Sequence, residues 1–233
     1  MFYGFDPLYF LIIGPAFVLS MVASMRTKSQ FNKYSKVGTS SGMTGAQAAA
    51  QVLRAGGVTN VRIERVDGFL SDHYDPSKKV LRLSSKVHDS NSISAVGVGA
   101  HEAGHAIQDK VRYPMLALRT ALVPTASLGS NLGWILLIAG MFLQMMGLVY
   151  IGIILFSAVV LFQLVTLPVE FDASSRAKSM LFETGVISSR AERDGVSRVL
   201  NAAALTYVAA AAMAILQLVY FLIKAGLLGG RDD

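Results

Sequence analysis

Four long apolar runs limit what this chain can become. The first, "PLYFLIIGPAFVLSMVASM", covers residues 7 to 25; the others cover residues 122 to 144, 147 to 168 and 199 to 223. Each can cross a bilayer as a helix, which takes about 20 predominantly apolar residues. In lipid the backbone must satisfy its own hydrogen bonds, so helices are the expected form. Composition agrees, because only 15% of the residues are charged, against about 25% in soluble domains. The first run does not read as a cleaved leader. Asp6 precedes it without a basic segment, and Arg26 and Lys28 follow it.

The second and third runs nearly touch and no charge lies between them. They predict a helical hairpin turning near Met146-Gly147, with Gly129 and Gly133 spaced for close helix packing. The net charge is +6, and no nucleic-acid-binding motif accompanies it, so nucleic acid is not an expected partner. The basic residues crowd two polar segments, residues 26–120 and 169–198. The positive-inside rule puts both segments in the cytoplasm and both termini outside. The expected fold is a mainly α integral membrane protein. Four transmembrane helices and a small α+β zincin-type catalytic region would form a single membrane-embedded domain over residues 1–233.

The first polar segment carries local signals. "TGAQAAAQVLRAGG" reads as a helix with Thr44 as N-cap and Gly56 or Gly57 as stop. "VTNVRIERV" and "KKVLRLS" alternate like strands. Between them "GFLSDHYDPS" carries turn chemistry at Gly68 and Asp75-Pro76, where Asp72 and Asp75 can stiffen the chain. A further helix is expected to start at Ser92 or Ser94.

That helix contains "GVGAHEAGHAIQDK", with His101, Glu102 and His105 in the H-E-x-x-H spacing of zinc peptidases. Residues four apart share a helix face, so His101 and His105 can grip one zinc ion. Glu102 lies about 100° round the helix, within reach of a water on that ion as general base. Ala103, Gly104 and Ala106 are small enough for another element to pack closely. There is no cysteine, so disulfides and thiolate ligands are excluded.

A catalytic zinc site takes a third protein ligand and keeps one open position. Six residues after His105 stands Val111, so the metzincin pattern is absent. Glu170 in "TLPVEFDASSRA" is the preferred third ligand, because it sits where the third span leaves the membrane and a carboxylate there needs a partner. Asp172 is its competitor, although two residues on it would point elsewhere on a helix.

The stretches "LSDHYDPSKKVLRLSSKVH", "AVGVGAHEAGHAIQ", "LPVEFDASSRA" and "AAALTYVAAA" together resemble the YugP-like membrane zinc metallopeptidases of bacteria. The resemblance covers nearly the whole chain in the same order. It implies a neutral zinc peptidase embedded in the cell membrane. A more distant likeness is to membrane gluzincins, whose Glu ligand is followed by a short Ala-Asp pattern. Glu170 and Ala173 match that pattern, but Ser174 stands where the Asp would be. Asp172 is a candidate for the missing supporting role.

Peptide hydrolysis also needs a donor to the oxyanion. His73 and Tyr207 are the candidates, against plainer roles as a turn residue and an interfacial aromatic anchor. The "KKVLRLS" strand is either a structural strand or a sheet edge on which an extended substrate could pair. Two functions follow. One is a membrane-integral zinc endopeptidase acting on membrane-associated proteins or peptides. The alternative is a non-catalytic, zinc-stabilised membrane scaffold.

Overall fold

The structure, a computed structural model, describes residues 6–68 and 71–228. Both termini, with Arg231, Asp232 and Asp233, and residues 69 and 70 of the "GFLSDHYDPS" stretch lie outside the described residues.

The chain is mainly helical. Helix α1 spans Pro7–Tyr34 and α2 Gly45–Ala55. Strands β1 (Arg62–Val66), β2 (His73–Asp75) and β3 (Val80–Ser84) follow. Then come α3 (Ser85–His88), α4 (Ile93–Lys110) and α5 (Pro114–Leu128). A π-helical stretch at Gly129–Gly133 joins α5 to α6 (Trp134–Phe142), and α7 (Met146–Glu183) and α8 (Arg190–Lys224) complete the chain. Among the described residues, four helical segments are long and apolar enough to cross a membrane: Pro7–Tyr34, Pro114–Phe142, Met146–Glu183 and Arg190–Lys224.

These helices outrun the apolar stretches. At 38 residues α7 is about 57 Å long by the helical rise. Much of the segment 169–198 is therefore helix, as the ends of α7 and α8, with a short turn between. The hairpin turn falls at residues 143 to 145, just before the expected position, with Gln144 in the left-handed region (φ 53°).

The chain divides into two compact units. The first comprises Met1–Ala23, Leu118–Leu167 and Thr206–Asp233. Its core gathers Leu137, Val149, Phe156 and Phe221. Trp134, Phe156 and Phe221 meet edge to face, with centroids 5.4 to 6.3 Å apart. Close approach here depends on Gly129, where a β-carbon would come within 2.2 Å of the Leu155 carbonyl oxygen. Asp6 accepts hydrogen bonds from Tyr220 (2.9 Å) and Lys224 (2.5 Å).

The second unit comprises Ser24–Ala117 and Pro168–Leu205. Local chemistry explains its elements. Thr44 and Gln47 form a capping box at the start of α2, and Ser92 caps α4. At α8, Ser189 and Glu192 cap each other. Glu192 also accepts from the Ser40 N–H at 2.6 Å, tying the loop before α2 to that helix. The sheet order is β1-β3-β2, parallel between β1 and β3 and antiparallel between β2 and β3.

That order decides between two pairs of alternatives. The strand of "KKVLRLS", β3, is paired on both sides, so it is no edge for an incoming peptide. His73 lies on the edge strand β2 rather than in a turn. The turn itself follows, where Asp75 accepts from the N–H groups of Ser77 and Lys78 at 3.0 Å. Asp72 accepts from the Ser84 N–H at 2.7 Å. Leu81 and Leu83 are fully buried with Val52, Val96, Ala100 and Leu181. Asp109 on α4 accepts from Tyr74 and pairs with Lys79, pinning the sheet to the end of that helix.

Candidate metal centre

The His-Glu-x-x-His stretch lies in α4, and Glu170 lies in α7 within the same unit. Gly104 lets the two helices meet. A β-carbon there would come within 2.7 Å of the Ala173 carbonyl oxygen. Ala103 and Ala106 are buried beside it. Small residues at these positions bring Glu170 up to the two histidines.

His101, His105 and Glu170 each offer one ligand atom within 4.8 Å of the others. His101 Nε2 is 3.2 Å from Glu170 Oε2, and His105 Nε2 is 3.5 Å from the same oxygen. The imidazoles stand nearly perpendicular, at 82°. Ligand atoms around a tetrahedral zinc with bonds near 2.05 Å sit about 3.3 Å apart. Both nitrogen-to-oxygen spacings are close to that figure, and two imidazole nitrogens with one carboxylate oxygen are donors that suit zinc. Glu170 is 1% exposed, and a carboxylate so buried is tolerated only when paired or coordinating. Burial works against a charged His105. The neighbouring carboxylates of Glu170 and Glu102 outweigh it and raise the imidazole above its ordinary pKa.

The remaining ring nitrogens are also occupied. His101 Nδ1 meets Ser174 Oγ at 3.1 Å. His105 Nδ1 meets Gln108 Oε1 at 2.9 Å. Gln108 Nε2 donates to the Val169 carbonyl and to Asp172 Oδ2, both at 2.8 Å. Arg176 Nε donates to that same carboxylate oxygen at 2.6 Å. Asp172 thus faces Gln108 and Arg176 and is not part of the His101, His105 and Glu170 group.

Glu102 is buried on the same helix turn as His101. His73 is exposed, with Nδ1 2.8 Å from the Ser71 carbonyl and Nε2 3.3 Å from Arg82. Tyr207 is half-buried on α8 in the other unit. Sequence reasoning named Ser174 only as a departure from the Ala-Asp pattern and did not single out Gln108 or Arg176 as side chains at the site. Helical spacing held the signal, because Gln108 follows His105 by three residues and Ser174 follows Glu170 by four, each pair on one face.

Comparison with known proteins gives the context. Residues 9–226 match the family described as "Putative neutral zinc metallopeptidase". The chain is 46% identical over 226 residues to "Putative membrane protease YugP" of Bacillus subtilis (strain 168), a match covering 97% of this chain and 99% of that protein. No solved structure matches the chain significantly. With four membrane-length helices and this match over nearly its whole length, the chain belongs to the YugP-like family of neutral zinc metallopeptidases.

Proposed function

We propose that this protein is a membrane-integral zinc endopeptidase in which His101, His105 and Glu170 hold the metal and Glu102 is the general base. The observation that carries the reading is the convergence of both imidazole Nε2 atoms on one buried Glu170 oxygen, with Glu102 on the intervening turn of a zincin-type helix. A zinc ion held there would supply Lewis acidity toward water and the scissile carbonyl. Glu102 takes the proton from the attacking water on its carboxylate and delivers it to the leaving amine. Ser174 and Gln108 hold the imidazoles in orientation. Of the two candidate donors to the oxyanion, His73 lies in the unit that holds this group.

In this reading residues 1–233 act as one membrane-embedded peptidase domain in the bacterial cell membrane. The basic residues of the segments 26–120 and 169–198 support a cytoplasmic catalytic face with both termini outside. The substrates are then membrane-associated proteins or peptides reaching that face. The test is Glu102→Ala, assayed for zinc content and peptide hydrolysis together. The expected variant keeps its zinc and loses activity by roughly 10²- to 10⁴-fold, the range typical of a general base. Full zinc with full activity would remove Glu102 from this role, whereas a zinc-loaded wild type that hydrolyses no peptide would favour a zinc-stabilised scaffold.

A further inference from the structure

Gln108 has no exposed surface at all. A buried amide must place two N–H donors and a carbonyl acceptor. The two Nε2 contacts are to the Val169 carbonyl oxygen and to an Asp172 carboxylate oxygen paired with Arg176. Both are acceptors, so the amide has a single satisfying orientation, with Nε2 toward α7 and Oε1 toward His105. A carbonyl oxygen can only accept. The 2.9 Å contact to Gln108 Oε1 therefore puts a hydrogen on His105 Nδ1. In a neutral imidazole the other nitrogen, Nε2, then presents its lone pair, and it faces Glu170.

His101 is held differently. Its Nδ1 meets the Ser174 hydroxyl, which can donate or accept, so that contact dictates no tautomer. The two histidines of the motif thus have unequal support. One has a directional chain of Arg176, Asp172 and Gln108, and the other has an adaptable hydroxyl.

We propose that Gln108 is a positioning residue that locks His105 in the Nδ1–H tautomer for metal binding, with Asp172 and Arg176 fixing its amide from behind. This rests on the zinc reading above. It also gives Asp172 a definite task, acting through Gln108 without touching the metal. Ser174 makes the lesser contribution to affinity.

The test uses the full chain in detergent. Zinc affinity is read by competition with a chromogenic chelator, and the visible spectrum of the cobalt-loaded protein is a second readout. Gln108→Leu keeps the volume and removes the acceptor. It should weaken zinc by about 10- to 100-fold, the usual cost of losing such a support, and should alter the cobalt spectrum. Ser174→Ala should lose less.

Wild-type affinity in Gln108→Leu overturns the proposal. Should Gln108→Leu not fold, Asp172→Ala carries the test. It should weaken zinc about tenfold, and unchanged affinity overturns the proposal. Zinc that wild type binds and His105→Ala loses, but that Gln108→Leu leaves undisturbed, removes this proposal alone. A wild type that binds no zinc removes the metal reading and this proposal together.

Discussion

The two units bury opposite things. In the unit built on the hairpin, large apolar side chains face outward: Leu11 and Phe142 are each 74% exposed and Ile154 is 70% exposed. Its interior is an aromatic cluster with a few aliphatic side chains, Leu137, Val149 and Ile153 among them, and close contacts at glycines such as Gly129. In the other unit the aliphatic side chains turn inward. That unit also holds Glu102, His105, Glu170 and Glu192, the buried charged residues among those described. Where lipid is the surroundings, burial of apolar surface drives nothing, and helices associate by close packing. Where water is the surroundings, burial drives folding and gives a low-dielectric interior in which charges persist only when paired. The metal-type cluster lies in the unit that can sustain it.

Several substitutions sharpen that contrast. Leu81→Ala in the second unit leaves a cavity in a packed core and should cost about 2–5 kcal/mol, read by thermal unfolding in detergent. A cost well below that range would mean the second unit is not packed like a soluble core. Ile154→Lys touches no core. It should still cost about 2.5–3.5 kcal/mol, through membrane insertion if Ile154 sits at mid-bilayer. The readout is the fraction of protein integrated into membranes. Normal integration would break the comparison, because that face would then not meet lipid. Smaller still is Glu192→Ala, which removes the acceptor for Ser40, Ser188 and Ser189 N–H groups. About 1–2 kcal/mol of stability should go, typical of a lost cap, with the unfolding of the hairpin unit unaffected.

How legible the sequence was divides along similar lines. Elements set by neighbouring residues could be read directly: α2 from Thr44 and Gln47, α4 from Ser92, and the hairpin from two apolar runs. Strand β2 could not. His73–Asp75 is three residues long and abuts Pro76, and its strand character comes from pairing with β3, a tertiary fact. The polar ends of α7 and α8 read only as a polar segment, because charge marks the limit of the membrane, not the limit of a helix. At the site, His101, Glu102 and His105 were legible from spacing, and Glu170 from its place at a membrane exit. Gln108 and Ser174 were not. Their meaning arises only once Gly104 lets α4 approach Ala173 on α7.

The most direct measurement is metal content by mass spectrometry on detergent-purified wild type, Glu170→Ala and Asp172→Ala, each checked for folding. The account predicts one zinc per wild-type chain, lost in Glu170→Ala and retained, more weakly held, in Asp172→Ala. Zinc kept by folded Glu170→Ala and lost by folded Asp172→Ala would contradict it.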